Sequence, residues 1–75
     1  MIPMTQMKQG DAAQILELRG GDDFKRKLRV IGIREGKDIL VIALHPLGGP
    51  IVVQVDGRKT TLGRRMAQRI MVELA

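Results

Sequence analysis

The chain has no cysteine, no tryptophan, no tyrosine and a single phenylalanine among its 75 residues. Without thiols it can form neither a disulfide nor a thiolate–metal site, so apolar packing must hold the fold together. The longest apolar run, Ile39–Leu44, is far shorter than the roughly 20 residues with which a helix crosses a bilayer. The first residues, Met1 to Gln6, have neither the basic nor the apolar region of a secretory signal. These absences predict a cytoplasmic protein that does not span the membrane.

The residue sets that carry catalysis or bind metal are also missing. No Ser-His-Asp or Cys-His set can be assembled, and no glycine-rich phosphate loop is present. His45 is the only imidazole, whereas a stable transition-metal site needs about three or four convergent ligands. We therefore expect no catalytic residue, no metal site and no cofactor, and interpret His45 as a solvated loop residue.

Positive charge is present in excess, with 13 lysines and arginines against 8 acidic residues and a net charge of +5. This excess indicates an acidic partner surface, and phosphate neutralisation makes nucleic acid an obvious candidate. RNA-binding barrels usually add aromatic stacking platforms, however, and Phe24 is the only aromatic residue here. A small basic nucleic-acid-binding barrel stays an alternative, but nucleic acid is not the expected partner. The basic residues form two clusters: Lys25, Arg26, Lys27 and Arg29, then Arg58, Lys59, Arg64, Arg65 and Arg69.

Hydrophobic patterning predicts five short strands, over residues 12–19, 38–44, 51–55, 58–62 and 70–74. The strand 38–44 is continuously apolar over most of its length, which is typical of burial on both faces. Asp56-Gly57 favours a type I′ turn and predicts that 51–55 and 58–62 pair as an antiparallel hairpin. The polar residues that alternate along 58–62 are typical of an edge strand.

One helix is expected between the first two strands, because Phe24, Leu28 and Ile31 recur at spacings of four and three and so share a buried face. Asp22 or Asp23 is the expected N-cap, and Gly32 the residue that closes the C-terminus. The first basic cluster then lies on the solvated sides. A short helical turn over 63–68 precedes the last strand, with Thr60 or Thr61 as its expected cap and Leu62, Met66 and Ile70 facing inward.

These elements predict a mainly β fold: a small five-stranded SH3-like barrel with one helix between strands one and two and a helical turn before the last strand. Closure into a barrel would remove unpaired sheet edges. A single domain over 1–75, with its core at about 4–74, is expected. An OB-fold barrel is the main alternative, since it also has five strands but usually places its helix between the third and fourth.

Four segments resemble the ferrous iron transport protein A (FeoA) family of small SH3-like domains. The segment Pro46–Ile51 is close to the family's Gly-Gly-Pro hairpin, and 62–72 is similar to its Leu-Arg-x-x-x-Ala-x-x-Ile-x-Val ending. The lead-in 4–15 and the segment 27–36 also resemble the family, in the same order and spacing. The chain departs from the pattern at Glu35, where a turn proline is usual, and at Gly63 and Met66, where arginine and glutamate are common.

The resemblance implies a cytosolic, non-enzymatic accessory protein of ferrous iron uptake. It would be recruited to the inner face of the cytoplasmic membrane by the ferrous iron transporter, which carries a cytosolic GTP-binding domain. The family also implies association with transition metal ions, and a direct ferrous iron sensor and self-association stay open as alternatives. Two surfaces are candidates for the partner contact, although a solvated face and a purely structural turn are the plainer interpretations. The candidate partner-binding residues are Lys25, Arg26 and Arg29 on the helix, and Leu47, Gly48 and Gly49 in the hairpin.

Overall fold

A computed structural model describes all residues, 1–75, and is built mainly from β-strands. The predicted mainly β class is confirmed, but six strands form rather than five. The additional strand is a two-residue N-terminal segment, too short to leave a periodic pattern in the sequence. The elements are β1 Ile2–Pro3, a 3-10 turn Met4–Gln6, β2 Ala12–Leu18, α1 Asp22–Val30, β3 Asp38–Leu44, β4 Ile51–Val55, β5 Arg58–Leu62, α2 Arg64–Ala67 and β6 Ile70–Leu74.

The six strands form one antiparallel sheet in the order β1-β6-β2-β3-β4-β5. The last strand in sequence, β6, lies between β1 and β2, so the two ends of the chain are held together. Ile2 pairs with Val72 and Pro3 with Met71. At the opposite end of the order, β5 pairs with β4 alone.

The β4–β5 hairpin has the geometry predicted from Asp56-Gly57. Val55 pairs directly with Arg58, which leaves a two-residue loop. Asp56 and Gly57 both adopt positive φ, 52° and 77°, as a type I′ turn requires. The twist of this turn matches the right-handed twist of the flanking strands, and the predicted hairpin is confirmed.

The core is a single cluster of buried apolar side chains to which every strand except β1 contributes. The inward-facing positions predicted for β2, at Ala13, Ile15 and Leu18, are all buried. Met4, the first residue of the 3-10 turn, and Met7, which directly follows the turn, are also buried, although the sequence did not predict them as core residues. The cluster comprises Met4, Met7, Ala13, Ile15, Leu18, Leu28, Ile33, Ile39, Val41, Ile51, Val53, Val55, Leu62, Ala67, Ile70 and Val72.

The end of α1 explains one wrong prediction. Ile31 was expected in the core, but its side chain is 38% exposed and Ile33 is fully buried instead. Gly32 closes the helix as predicted, with φ of 89°: its N–H donates to Arg29 O and the Ile33 N–H donates to Leu28 O. These two bonds form a Schellman motif, which turns the chain so that Ile33 rather than Ile31 packs with Leu28.

The predicted N-caps are wrong for both helices. Gly21 is the N-cap of α1 and Gly63 that of α2, and neither makes a side-chain capping bond. Asp22 and Asp23 lie in the first turn of α1 instead, where negative charge favours the positive end of the helix dipole. Thr60 and Thr61 belong to β5.

Burial of β3 on both faces is also a wrong prediction. Ile39 and Val41 are buried, whereas Leu40 and Ile42 are only half-buried on the other face. The register shifts between Val41 and Ala43, which marks a bulge in this strand. The continuous apolar run therefore lines the core with one face and leaves a partly apolar outer face.

Candidate functional site

The basic helix face consists of Lys25, Arg26 and Arg29 on α1. Leu28 is fully buried, and a helix turns 100° per residue, so Arg26 lies almost directly opposite the core side. Arg26 and Arg29 are exposed and Lys25 is half-buried. The structure thus brings these three predicted residues together on the solvent side of one helix.

Most of the positive charge on this helix face is not paired with an acidic side chain of the protein. Arg26 Nη1 lies 4.0 Å from Asp23 Oδ1, and both side chains are largely exposed, at 76% and 95%. A pair of this kind contributes little stability. Lys25 and Arg29 form no ion pair. The basic helix face can therefore meet an acidic partner without breaking a strong internal contact.

An apolar residue that the sequence analysis missed lies within this basic surface. Val30 is 79% exposed and is one turn beyond Arg26 on the same side of α1. A helical wheel would have found it, since Val30 lies 200° from Leu28 and so cannot share the buried face. Ile31, at the helix end, is also exposed. The surface therefore combines positive charge with apolar area.

The hairpin loop joins β3 to β4 over residues 45–50 and holds the other predicted residues. The Gly49 N–H donates to Pro46 O at 3.2 Å, closing a four-residue turn. Its central residues, Leu47 and Gly48, have positive φ of 61° and 73°, which again is the type I′ geometry. The Leu47 side chain is fully exposed at the tip. A leucine in the left-handed region costs about 1–2 kcal/mol, so the fold holds an apolar side chain in solvent at some energetic cost.

Arg64 of α2 fixes the base of this loop. Its Nε donates to Gly49 O at 2.9 Å, and its Nη2 lies 3.4 Å from His45 O. Gly49 also approaches His45 closely, because a Cβ on Gly49 would lie 2.8 Å from the His45 Cβ. Gly49 thus has a structural role, and Leu47 is the residue of this loop whose side chain is presented to a partner.

The two candidate surfaces are not linked to each other. No hydrogen bond or ion pair joins α1 to the hairpin loop, whereas Arg64 joins the loop to α2. Arg64 belonged to the second basic cluster of the sequence, so part of that cluster serves loop geometry.

The only aromatic ring is not freely available for stacking on a nucleic-acid base. Phe24 is half-buried against the core, and the Arg69 guanidinium lies 5.6 Å from its ring centroid. That geometry is a cation–π contact. The Phe24 ring also lies against Gly20, where a Cβ would approach within 2.4 Å.

Acidic and histidine side chains do not cluster. No three of them lie close enough together to hold a metal ion. His45 is exposed, and its only hydrogen bonds are made by its backbone. None of the helices is both long and apolar enough to pass through a bilayer. The absence of a metal site and of a cofactor stays a prediction.

Comparison with known proteins identifies relatives over nearly the whole chain. The model of the FeoA domain family matches residues 2–74. A putative Fe(2+) transport protein A of Methanocaldococcus jannaschii is 29% identical over 97% of this chain and 87% of its own length. An Fe(2+) transport protein A/Fe(2+) transporter FeoB fusion protein of Porphyromonas gingivalis is 30% identical over 95% of this chain. The chain spans only 8% of that fusion protein.

A solved structure agrees with the fold. The crystal structure of an iron uptake regulatory protein (FeoA) superposes with a TM-score of 0.89, at 30% identity, over 99% of this chain and 96% of that one. The predicted SH3-like fold is thereby confirmed. With the family model matched from residue 2 to residue 74, the chain belongs to the FeoA domain family.

Proposed function

We propose that this protein is a non-catalytic accessory of ferrous iron transport that acts by direct contact with the ferrous iron transporter. The observation that carries this proposal is the Porphyromonas gingivalis relative, in which Fe(2+) transport protein A and the transporter FeoB form one fusion protein. Fusion holds two partners at a high effective concentration, which is useful when the two must touch. A separate chain of the same family would achieve the same contact by binding.

The composition of the surface supports contact rather than chemistry. Every buried side chain is apolar, so no ionisable group is set in the desolvated surroundings that catalysis usually requires. The exposed features are instead a basic helix face with an apolar Val30 beside it and a strained, exposed Leu47. Protein interfaces use this combination of apolar anchors and steering charge.

The two surfaces would contribute differently to binding. Lys25, Arg26 and Arg29 are exposed or half-buried charges, which would chiefly accelerate association with an acidic surface of the transporter. Leu47 offers a projecting apolar side chain, and its burial would slow dissociation. The proposed contact surfaces are thus the basic helix face and the tip of the hairpin loop at Leu47 and Gly48, while Gly49 holds the loop in shape.

The test is binding of the purified chain to the detergent-solubilised full-length transporter, with and without a GTP analogue, by biolayer interferometry. We expect the double variant Arg26→Glu, Arg29→Glu to lower the association rate about tenfold at low salt. We expect Leu47→Asn to raise the dissociation rate while the turn persists, because asparagine tolerates positive φ.

The charge-matched control is Lys8→Glu, Arg65→Glu, which reverses two exposed basic residues outside both surfaces. It should bind like the unmodified chain. Absence of binding by the unmodified chain at tens of micromolar would overturn the proposed function. An equal decrease in the association rate of the control and of the helix variant would instead reject the basic helix face as the contact.

A further inference from the structure

The outer edge of β5 has backbone groups without partners. β5 is the last strand of the sheet and pairs only with β4. Because Val55 and Arg58 close a two-residue hairpin, residues 58, 60 and 62 direct their backbone groups toward β4. The N–H and C=O groups of Lys59 and Thr61 must then point away from the sheet.

Nothing else in the protein satisfies these groups. No turn, loop or cap hydrogen bond reaches Lys59 or Thr61, and neither do the side-chain hydrogen bonds. Both residues are exposed. This edge therefore offers two donors and two acceptors at the spacing of an added strand.

The opposite edge of the sheet is blocked by its backbone, whereas β5 is guarded only by the positive charges of Arg58 and Lys59. β1 is only two residues long and includes Pro3, which has no N–H to donate. β5 has five residues, with neither proline nor glycine. Strand addition is thus available at one edge only.

The charges on β5 determine which segment fits there. Arg58 and Lys59 are exposed and form no ion pair. The nearest acidic residue along the chain, Asp56, is engaged with Lys37 Nζ at 2.9 Å. A second copy of β5 contains no acidic residue that could compensate these charges. An acidic segment would instead compensate them.

We infer that the free edge of β5 binds an extended acidic peptide segment of a partner protein as a seventh, antiparallel strand. Backbone bonds to Lys59 and Thr61 supply the affinity, and a carboxylate opposite Lys59 selects the sequence, as in other cases of strand addition. This site is separate from the basic helix face and the hairpin loop, and it does not depend on the proposed function.

The experiment is an NMR titration of the ¹⁵N-labelled chain with the blocked peptide acetyl-Thr-Val-Glu-Val-Glu-Val-Thr-amide, combined with amide hydrogen exchange. We expect the amides of Lys59 and Thr61 to shift and to become protected. The same peptide with lysine in place of both glutamates should bind at least about tenfold more weakly, because like charges oppose each other across paired strands. The same peptide N-methylated along both edges has no N–H to donate and should not bind.

Variants of the chain test separately how the backbone and the side chains of β5 contribute to peptide binding. Thr61→Pro removes an outward N–H and should abolish protection at Lys59, whereas Thr61→Val keeps the backbone and should bind normally. Lys59→Glu should reverse the preference between the glutamate and lysine peptides, a result that does not depend on the proline variant folding. The inference is overturned if the peptide leaves the β5 amides unchanged, or if the N-methylated peptide binds equally well.

Discussion

Arg64 shows how one side chain can have a role that its charge alone does not reveal. In the sequence it belongs to a basic cluster and counts toward a net charge of +5. In the structure its guanidinium donates to Gly49 O and approaches His45 O, so it holds both ends of the loop that carries Leu47. Its neighbour Arg65 is exposed and makes no such bond. These adjacent arginines therefore allow a controlled comparison.

We expect Arg64→Ala to lower the free energy of unfolding by about 1–2 kcal/mol, because a hydrogen bond from a charged donor to the partly buried Gly49 carbonyl is lost. Urea denaturation followed by circular dichroism measures this change. Arg65→Ala is the control and should stay within about 0.5 kcal/mol of the unmodified chain. Equal effects of the two variants would show that Arg64 does not stabilise the loop.

At the scale of single elements, α1 has one buried side and a mixed outer side. Leu28 is fully buried, and its carbonyl also accepts the Ile33 N–H that ends the helix. Val30, two residues later, extends into solvent. The spacing of Phe24 and Leu28 correctly predicted the buried side, but the position of Ile31 depended on where the helix ends.

Leu28→Ala should destabilise the protein by about 2–5 kcal/mol, since it leaves a cavity in the core. Val30→Ala should change the free energy of unfolding by less than about 0.5 kcal/mol, because the valine is exposed and alanine has the better helix propensity. Thermal unfolding of both variants measures the difference. A large decrease in the free energy of unfolding on Val30→Ala would mean that the valine side chain is packed rather than exposed.

Much of the local structure followed from local chemistry. The Asp56-Gly57 turn was predictable because few residue pairs accept positive φ at two successive positions. The N-caps were not predictable, since Gly21 and Gly63 cap the helices without a side-chain bond. The exposure of the outer face of β3 was not predictable either, because the bulge near Ile42 leaves no signal in an apolar run. The candidate contact residues were placed on exposed surfaces, but only the structure distinguished Leu47 from the structural Gly49.

For the whole molecule, apolar packing rather than ion pairing accounts for stability. The core cluster contains no polar side chain, and all three ion pairs are at least partly exposed. The molecule measures 29 × 24 × 23 Å, so at low salt its excess positive charges interact across much of its surface. Mutual repulsion of these charges opposes folding.

Raising NaCl from about 0.05 M to about 0.5 M should increase the free energy of unfolding, by no more than about 1 kcal/mol. Screening weakens the repulsion that accompanies a charge of +5, while the exposed pairs have little stability to lose. Urea denaturation at several salt concentrations measures the trend. A fall of more than about 1 kcal/mol would indicate that the ion pairs contribute substantially.

The sequence by itself determined the mainly β class, the β4–β5 hairpin, the buried side of α1 and the excess of basic charge, because each depends on neighbours within a few residues. The tertiary structure decided the features that depend on contacts between residues far apart in the sequence. It placed β1 against β6, buried Met4 and Met7, and assigned Arg64 to the hairpin loop. It also set the order of all six strands, since that order depends on long-range pairing that no local pattern encodes.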